Sequence, residues 1–205
     1  MGSLFRTDSI REMPKKSLTS AYFEKIYAAR EDPWDFATSE YEAEKCAATL
    51  AALPREKYAS VFEIGCSIGV LTEKLADRCE KLLAVDVSEK AVAQAKKRCE
   101  NLPNVKFQIM RFPQNFPDEK FDLILISEVG YYLAPEDWSK ALKKVFAHLN
   151  ERGQVALVHW LPFVHDYPQS GDAVHDSFAE FAADKMRNLE RSKTEKYRLD
   201  VWGKI

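Results

Sequence analysis

The sequence lacks the features that mark several classes of protein. Its four cysteines include no C-x-x-C pair, so neither a zinc site nor a disulfide framework is predicted, and isolated thiols are typical of a reducing cytosol. No run approaches the ~20 apolar residues of a membrane span, and the first ten residues lack the apolar centre of a signal peptide. We therefore expect a cytoplasmic protein without membrane partners.

The sequence also lacks an excess of charge of either sign. The formal net charge is −2, and no basic stripe is present, so nucleic acid is not expected as a partner. The histidine-rich stretch H-W-L-P-F-V-H-D has no recognised metal-ligand spacing, so no metal is expected. With 205 residues and a hydrophobic fraction of 46%, the chain suits one domain with a full core, and a monomer and a homodimer both remain open.

Glycine is scarce as well, which makes its placement informative. Two of the seven glycines lie in one short turn, V-F-E-I-G-C-S-I-G, at residues 61–69. Gly65 allows the backbone to approach a ligand, and a helix start at Gly69 offers free N–H groups to an anion. Asp86 follows about twenty residues later, the spacing at which a carboxylate accepts hydrogen bonds from a ribose. Together with Glu63, which could receive an ammonium group, the pattern predicts a nucleotide-like cofactor.

Strand and helix patterns alternate through the middle of the chain. The alternation predicts an α/β fold with a Rossmann-like, mostly parallel sheet and helices on both faces. The tail at residues 189–205 is typical of an antiparallel hairpin, which brings the sheet to seven strands. The other predicted strands are 60–64, 81–86, 105–110, 121–127 and 154–160, and the helices between and after them are 69–79, 89–100, 135–149 and 173–186.

The first part of the chain is predicted to form a separate segment. Residues 1–54 carry two short helical patterns and are expected to form a helical lid, whereas residues 55–205 form the cofactor-binding domain. Trp34 and Phe36 are the expected apolar anchors of the lid, and Tyr41 and Lys45 are its polar ones.

Three motifs carry a resemblance to a known family. E-I-G-C-S-I-G, D-V-S and F-D-L-I-L-I-S-E-V resemble the motifs of class I S-adenosylmethionine-dependent methyltransferases over about residues 58–160. The resemblance implies that family's fold, with S-adenosyl-L-methionine as methyl donor and S-adenosyl-L-homocysteine as product. The sequence departs from the family pattern at Ser67, where a middle glycine is common, and at Arg111, where many members carry an acid against adenine. The cofactor-binding residues so implied are Glu63, Gly65, Cys66, Ser67, Gly69, Asp86, Val87, Phe112 and Ser127.

A second resemblance covers more of the chain. D-P-W-D-F-A-T-S-E-Y-E-A-E-K, followed by S-E-V-G-Y-Y-L and a late histidine-rich loop, is similar to the nodulation protein S group. This resemblance implies N-methylation of the terminal glucosamine of a chitooligosaccharide. The expected reaction is therefore methyl transfer to a small-molecule or saccharide acceptor, an amine in the first place, with O-methylation of a small natural-product metabolite as the alternative.

The acceptor is expected beside the carboxyl ends of the fourth and fifth strands. Glu128 is predicted to orient or deprotonate the acceptor, Tyr132 to assist it, and His159 to act as the base. The long loop after the fifth strand is expected to shape the substrate site. The predicted substrate-binding residues are Trp34, Tyr131, Trp160, His165, Asp166 and Asp172.

Two rival functions remain open at this point. Y-E-A-E-K at residues 41–45 mimics the Tyr-x-x-x-Lys of short-chain dehydrogenases, which would indicate an NAD(P)-dependent reductase. That motif lies before the glycine turn, whereas the dehydrogenases place it after. A non-catalytic nucleotide-binding module is the other alternative.

Overall fold

One seven-stranded sheet forms the core of the computed structural model, which describes residues 16–205. The strand order is β3-β2-β1-β4-β5-β7-β6, with parallel pairs from β3 to β5 and antiparallel pairs among β5, β7 and β6. This arrangement confirms the predicted fold class. The strands are β1 (Tyr58–Ile64), β2 (Cys79–Asp86), β3 (Val105–Ile109), β4 (Phe121–Ser127), β5 (Leu149–Trp160), β6 (Met186–Lys193) and β7 (Tyr197–Lys204).

Within residues 16–205, six α-helices surround the sheet, and serine side chains cap three of them. Ser39, Ser88 and Ser170 accept hydrogen bonds from backbone N–H groups in the first turns of α2, α4 and α6. No helix within residues 16–205 combines the length and the apolar character needed to cross a bilayer. The helices are α1 (Ser20–Ala29), α2 (Glu40–Ala52), α3 (Val70–Leu75), α4 (Glu89–Arg98), α5 (Pro135–Ala147) and α6 (Gly171–Ala182).

Both faces of the sheet are covered, as the apolar run at residues 123–126 of β4 requires. Ile124 and Ile126 pack with side chains of α5 and α6, whereas Leu123 and Leu125 pack with side chains of α3. A strand buried on both faces has no need for polar alternation, which explains why residues 121–127 are so apolar.

The predicted ends of α4 and α5 lie about two residues beyond the observed ends, and two other predicted helix ends were wrong by about four residues. Helix α6 ends at Ala182, and Met186 instead begins β6, where it is buried and pairs with Lys204. Helix α3 ends at Leu75 and passes through a 3₁₀ turn, so that Cys79 already belongs to β2. In both places pairing with a neighbouring strand overrides the local helical pattern.

The N-terminal segment crosses the carboxyl ends of the parallel strands. The Leu18 backbone N–H donates to the Tyr132 carbonyl at 2.8 Å, beyond the end of β4. On the other side, Glu24 accepts a hydrogen bond from the Glu89 N–H at the first residue of α4. The segment is therefore tied to both sides of the glycine turn. The first fifteen residues of the predicted 1–54 lid lie outside the described residues.

Candidate functional site

The glycine turn after β1 is packed too closely for side chains at its two glycines. Gly65 and Gly69 have φ values of +88° and +82°, in the left-handed region that favours glycine. A Cβ at Gly65 would lie 2.3 Å from a methyl group of Val129, and one at Gly69 would lie 3.0 Å from the Ala95 Cα. Ser67, where a third glycine was expected, also has a positive φ of +49°. The departure at Ser67 therefore keeps the backbone shape of the turn.

Asp86 at the end of β2 holds this turn in place. One carboxylate oxygen accepts the Ser67 N–H at 3.0 Å, and the other accepts the Ser88 N–H at 2.9 Å. Burial raises the pKa of Asp86, although these backbone donors oppose the shift. Each oxygen keeps a further lone pair, so the carboxylate can still accept from a ligand.

A first cavity opens above the turn and is roofed by the N-terminal segment. The Tyr27 and Ser67 hydroxyls lie 2.5 Å apart and join the roof to the turn. At the β3 end the walls are mostly apolar, from Val87, Met110 and Phe112, with Gln114 and Arg111 beside them. The cavity thus offers a flat apolar slot at one end and a carboxylate near its middle.

A second cavity adjoins the first and is lined by Glu63. The Glu63 carboxylate is 1% exposed and accepts a hydrogen bond from the Thr72 hydroxyl at 2.6 Å. Burial raises the pKa of Glu63 to about 7. Cys66, Glu42 and Lys45 line the same space. This cavity can therefore hold a small, charged group.

In a third cavity, half of the lining residues have aromatic side chains. The Tyr131 and Tyr167 rings stack with centroids 4.7 Å apart, and Tyr132 meets Tyr167 edge-on at 4.8 Å. On the opposite side Tyr41 meets Trp160 edge-on at 5.6 Å. Such walls suit the faces of a sugar ring or an organic cation.

Glu128 lines all three cavities. It follows β4 with a φ of +58°. One carboxylate oxygen accepts from the Lys45 ammonium at 2.6 Å, and the other accepts the Trp160 N–H at 3.0 Å and the Tyr131 hydroxyl. Three donors from three different parts of the chain therefore fix one carboxylate where the cavities meet.

Lys45 is the cation at this junction, and it is 6% exposed. Its ammonium also donates to Glu42 at 3.0 Å. Burial alone would lower the pKa of Lys45, but the carboxylates of Glu128 and Glu42 outweigh it and leave the pKa raised. Lys45 therefore remains charged and paired.

The Tyr41 hydroxyl is buried without a hydrogen-bond partner among the described residues. Its ring lines the third cavity, with the Lys45 and Lys196 ammonium groups 5.2 and 4.9 Å from the ring centroid. Burial and the nearby Glu128 charge raise the pKa of Tyr41, so the hydroxyl is protonated. A buried donor without a partner is costly, so a bound molecule that supplies an acceptor would satisfy it. The sequence suggested Tyr41 as a lid anchor and as the first residue of the Y-E-A-E-K mimic, and no local signal reveals that its hydroxyl lacks a partner among the described residues.

Most of the residues predicted from the sequence are brought together here. Gly69 is the exception among the predicted cofactor residues, because it packs against α4 behind the turn. The first two cavities include Glu63, Gly65, Cys66, Ser67, Asp86, Val87, Phe112 and Ser127, and the third includes Trp34, Glu128, Tyr131, Tyr132 and Trp160.

His159 does not reach a cavity, and the prediction that it acts as the base is corrected. Its ring is fully buried, and Nε2 accepts the Gly130 N–H at 2.9 Å. Its Nδ1 lies 3.1 Å from Nε2 of His175. Both ring nitrogens are occupied, and burial holds the pKa of His159 well below its ordinary value. The alternating side chains of β5 turn this residue into the core instead of toward the acceptor.

Three predicted substrate-binding residues also lie outside the cavities. Asp172 forms ion pairs with Lys193 and Arg198. His165 and Asp166 are exposed in the loop after β5, whereas Val164 and Tyr167 of the same loop turn into the third cavity. The loop does shape the site, but through its apolar and aromatic side chains.

Comparison with family models places the chain in one family. Residues 19–158 match the family model of nodulation protein S (NodS). Nodulation protein S of Bradyrhizobium diazoefficiens is 36% identical over 106 residues, which cover 51% of this chain and 51% of the relative. The chain thus spans about half the length of the curated relatives it matches.

Solved structures show the same fold. A protein from Pseudomonas syringae described as a methyltransferase is 36% identical, with a TM-score of 0.72 over 81% of this chain and 100% of the other. The N-methyltransferase NodS of Bradyrhizobium japonicum WM9, solved with S-adenosyl-L-homocysteine, is 21% identical, with a TM-score of 0.77 over 90% of this chain and 98% of the other.

Proposed function

Because the chain belongs to the nodulation protein S family, we propose that it is an S-adenosylmethionine-dependent methyltransferase that methylates an amine nitrogen of a polar acceptor. The acceptor is a small molecule or a saccharide, and the proposed form is an amino sugar such as the terminal glucosamine of a chitooligosaccharide. A solved nodulation protein S of Bradyrhizobium japonicum WM9 is described as an N-methyltransferase, which supports the choice of nitrogen.

The residues of the first two cavities fit S-adenosylmethionine. Asp86 supplies a carboxylate with free lone pairs for the ribose hydroxyls, and Val87, Met110 and Phe112 form an apolar slot for a flat base. Glu63 supplies a buried carboxylate for an ammonium group. Arg111 lines the slot in place of the acid common in the family, so an adenine amino group would have to find its acceptor elsewhere, such as the Gln114 side chain or the backbone.

The position of Glu128 is the observation that carries the proposal. It is the carboxylate shared by the cofactor cavities and the aromatic third cavity. Glu42 and Glu128 together outnumber Lys45, so the junction favours a cationic or hydrogen-bond-donating group such as an amine. A carboxylic acid acceptor would be repelled there.

The protein's part in the reaction is alignment and proton removal. S-adenosylmethionine, when bound, supplies a methyl group on a sulfonium that is already a good leaving group. The acceptor nitrogen must present its lone pair to that methyl, so that the N–C bond forms as the C–S bond breaks, and the nitrogen must lose a proton. Glu128 accepts an N–H hydrogen bond from the acceptor and can take that proton. The stacked Tyr131 and Tyr167 rings and Trp160 hold the rest of the acceptor.

The test combines cofactor binding with a panel of acceptors. Calorimetric titration with S-adenosyl-L-homocysteine and with NAD(P) should show binding of the first compound only. Transfer of a radiolabelled methyl group should then be measured to glucosamine, to a chitooligosaccharide with a free terminal amine, to simple amines, and to hydroxyl and carboxylic acid metabolites. Labelling of the amines supports the proposal. Labelling of oxygen alone, tight NAD(P) binding without S-adenosyl-L-homocysteine binding, or cofactor binding without any transfer would each overturn it.

A further inference from the structure

A line of buried hydrogen bonds runs from the loop after β4 to β7, the strand that pairs with β5. The Gly130 N–H donates to Nε2 of His159 at 2.9 Å. Nδ1 of His159 meets Nε2 of His175 at 3.1 Å, and Nδ1 of His175 meets the Asp200 carboxylate at 2.7 Å. The side chains of His159, His175 and Asp200 are fully buried. None of the three lines the cavities that hold the proposed reaction.

The two ends of this line determine where its protons lie. A backbone N–H can only donate, so Nε2 of His159 must be unprotonated. The Asp200 carboxylate also accepts from the Arg191 and Arg198 guanidinium groups, so it is an acceptor for His175 as well. The Nδ1–H of His175 therefore donates to Asp200, which leaves its Nε2 to accept the Nδ1–H of His159. Both rings are neutral, and each holds one tautomer.

The Gly130 end of the line bears directly on the junction of the cavities. A Cβ at Gly130 would lie 2.9 Å from Nε2 of His159 and 2.6 Å from a methyl group of Val174, so the loop is pressed against both. Glu128 lies two residues before Gly130 and Tyr131 one residue after it. The bond to His159 thus anchors the short loop that carries the Glu128 carboxylate and one of its three donors.

We propose that His159, oriented by His175 and Asp200, is a positioning residue that holds Glu128 and Tyr131 in place as long as both imidazoles are neutral. The inference rests on the proposed function for the effect on turnover, but not for the proton arrangement. His159 acts only through the Gly130 loop, and it exchanges no proton with the acceptor.

One added proton is enough to break the line. If His159 gains it, Nε2–H faces the Gly130 N–H, and two donors oppose each other. If His175 gains it, Nε2–H faces Nδ1–H of His159, and the same conflict arises one step away. The first event opposes the Gly130 N–H directly. The second forces the His159 ring to move or to carry its proton on Nε2, so either event weakens the hydrogen bond that anchors the Gly130 loop.

The charges around the pair set the pH range of this effect. His175 faces Asp200 and Arg198 from β7 and Asp172 from its own helix, while His159 faces His175 and, at longer range, the Lys45 ammonium from α2. Burial lowers the pKa of both histidines. At His159 the Lys45 charge lowers the pKa further, whereas at His175 the Asp200 carboxylate opposes the shift. The folded pKa values lie below the ordinary ~6.5, so the arrangement holds at neutral pH and is lost as the pH falls through the folded values.

The experiment pairs two variants at one position with a spectroscopic measurement. His159→Gln can still place an amide oxygen against the Gly130 N–H, whereas His159→Phe keeps a ring but leaves that donor unpaired. We expect His159→Phe to lower kcat about tenfold, the size of one lost buried hydrogen bond, with the cofactor Kd unchanged. His159→Gln should stay near the native kcat. His148→Gln, at the end of α5, is the control, and it should match the native protein.

Long-range ¹H–¹⁵N spectra of the histidines test the proton arrangement without any need for turnover. We expect both His159 and His175 as Nδ1–H tautomers at neutral pH, and a shift of the Gly130 amide signal as the pair protonates on acidification. An Nε2–H tautomer at His159, a charged ring at neutral pH, or equal kcat values for the Gln and Phe variants would overturn the inference. If the tautomers are as expected and no methyl transfer is found with any acceptor, the proposed function fails while the proton arrangement stands.

Discussion

Glu128→Gln removes one charge and one acceptor site from the point where the three cavities meet. In the native protein the carboxylate receives three donors, from Lys45, from the Trp160 N–H and from Tyr131. An amide has one accepting oxygen and one donating nitrogen. If the oxygen faces Lys45, the NH₂ group faces the Trp160 N–H. If it faces Trp160, the NH₂ group faces a buried cation. Neither orientation satisfies all three donors.

The cost follows from those unsatisfied donors. One buried donor without a partner costs about 1–3 kcal/mol. Breaking a buried ion pair costs about 3–5 kcal/mol, but Glu42 still pairs with Lys45, so we expect a total of about 2–4 kcal/mol. For a domain of this size that loss lowers the melting temperature by roughly 5–15 °C. Because Glu128 is also the proposed proton acceptor, kcat should fall about 10²-fold.

Thermal melts and steady-state kinetics measure both effects on the same preparation. The Kd for S-adenosyl-L-homocysteine should change less than about threefold, because the turn, Asp86 and the apolar slot remain intact. Glu151→Gln is the matched control, since it also removes a carboxylate paired with a lysine, here Lys204, but at an 86% exposed surface position. A Glu128→Gln variant that melts and turns over like the Glu151→Gln control would refute the three-donor argument and the assigned role together.

Three further predictions concern the walls of the site. Tyr41→Phe removes a buried hydroxyl without a partner among residues 16–205. The melting temperature should therefore stay level or rise, while the acceptor KM rises about fivefold. A fall in melting temperature would show that the hydroxyl is satisfied in the free protein. Trp160→Ala should raise the acceptor KM about tenfold with an unchanged cofactor Kd, because aromatic contacts contribute ~0.5–1.5 kcal/mol beyond burial. If calorimetry shows that the variant and the native protein bind the saccharide equally well, the stacking role is contradicted. The pKa of Glu63 is about 7 in the folded protein and about 4.3 in the unfolded chain. Between those values the folded protein binds more protons than the unfolded chain, so its stability falls as the pH rises through that range. Glu63→Gln should abolish that slope in melts across the window, and a slope that persists would assign it to another group.

The glycine turn and the position of Asp86, which form part of the proposed cofactor site, could be predicted because their signals are local. Gly65 and Asp86 each end a predicted strand, and parallel neighbouring strands bring such ends to one edge of a sheet. Ser67 and Arg111 were recognised as departures from the family pattern, and Ser67 proves compatible with the turn because it adopts the positive φ itself. Glu128 was found by the same rule, since it follows the most apolar strand.

The error at His159 has a physical cause. Placement after β5 was correct, but position along a strand does not decide which way a terminal side chain points or what already fills its hydrogen-bonding groups. The partners of His159 come from Gly130 and from His175, 29 and 16 residues away in sequence. The prediction that His165 and Asp166 bind the substrate has a related difficulty, because Val164 and Tyr167 are the residues of that loop that line the third cavity.

The sequence by itself determined the sheet, the glycine turn and the place of Asp86. Strand periodicity is a pattern of consecutive residues, and two glycines close together in a chain with few glycines indicate close backbone packing. Only the tertiary structure decided which groups share the junction. The Lys45–Glu128 pair spans 83 residues, the Tyr41 hydroxyl is left without a described partner, and two histidines form a buried support instead of a base. These features depend on side-chain direction and on partners from distant elements, which no local pattern in a single chain encodes.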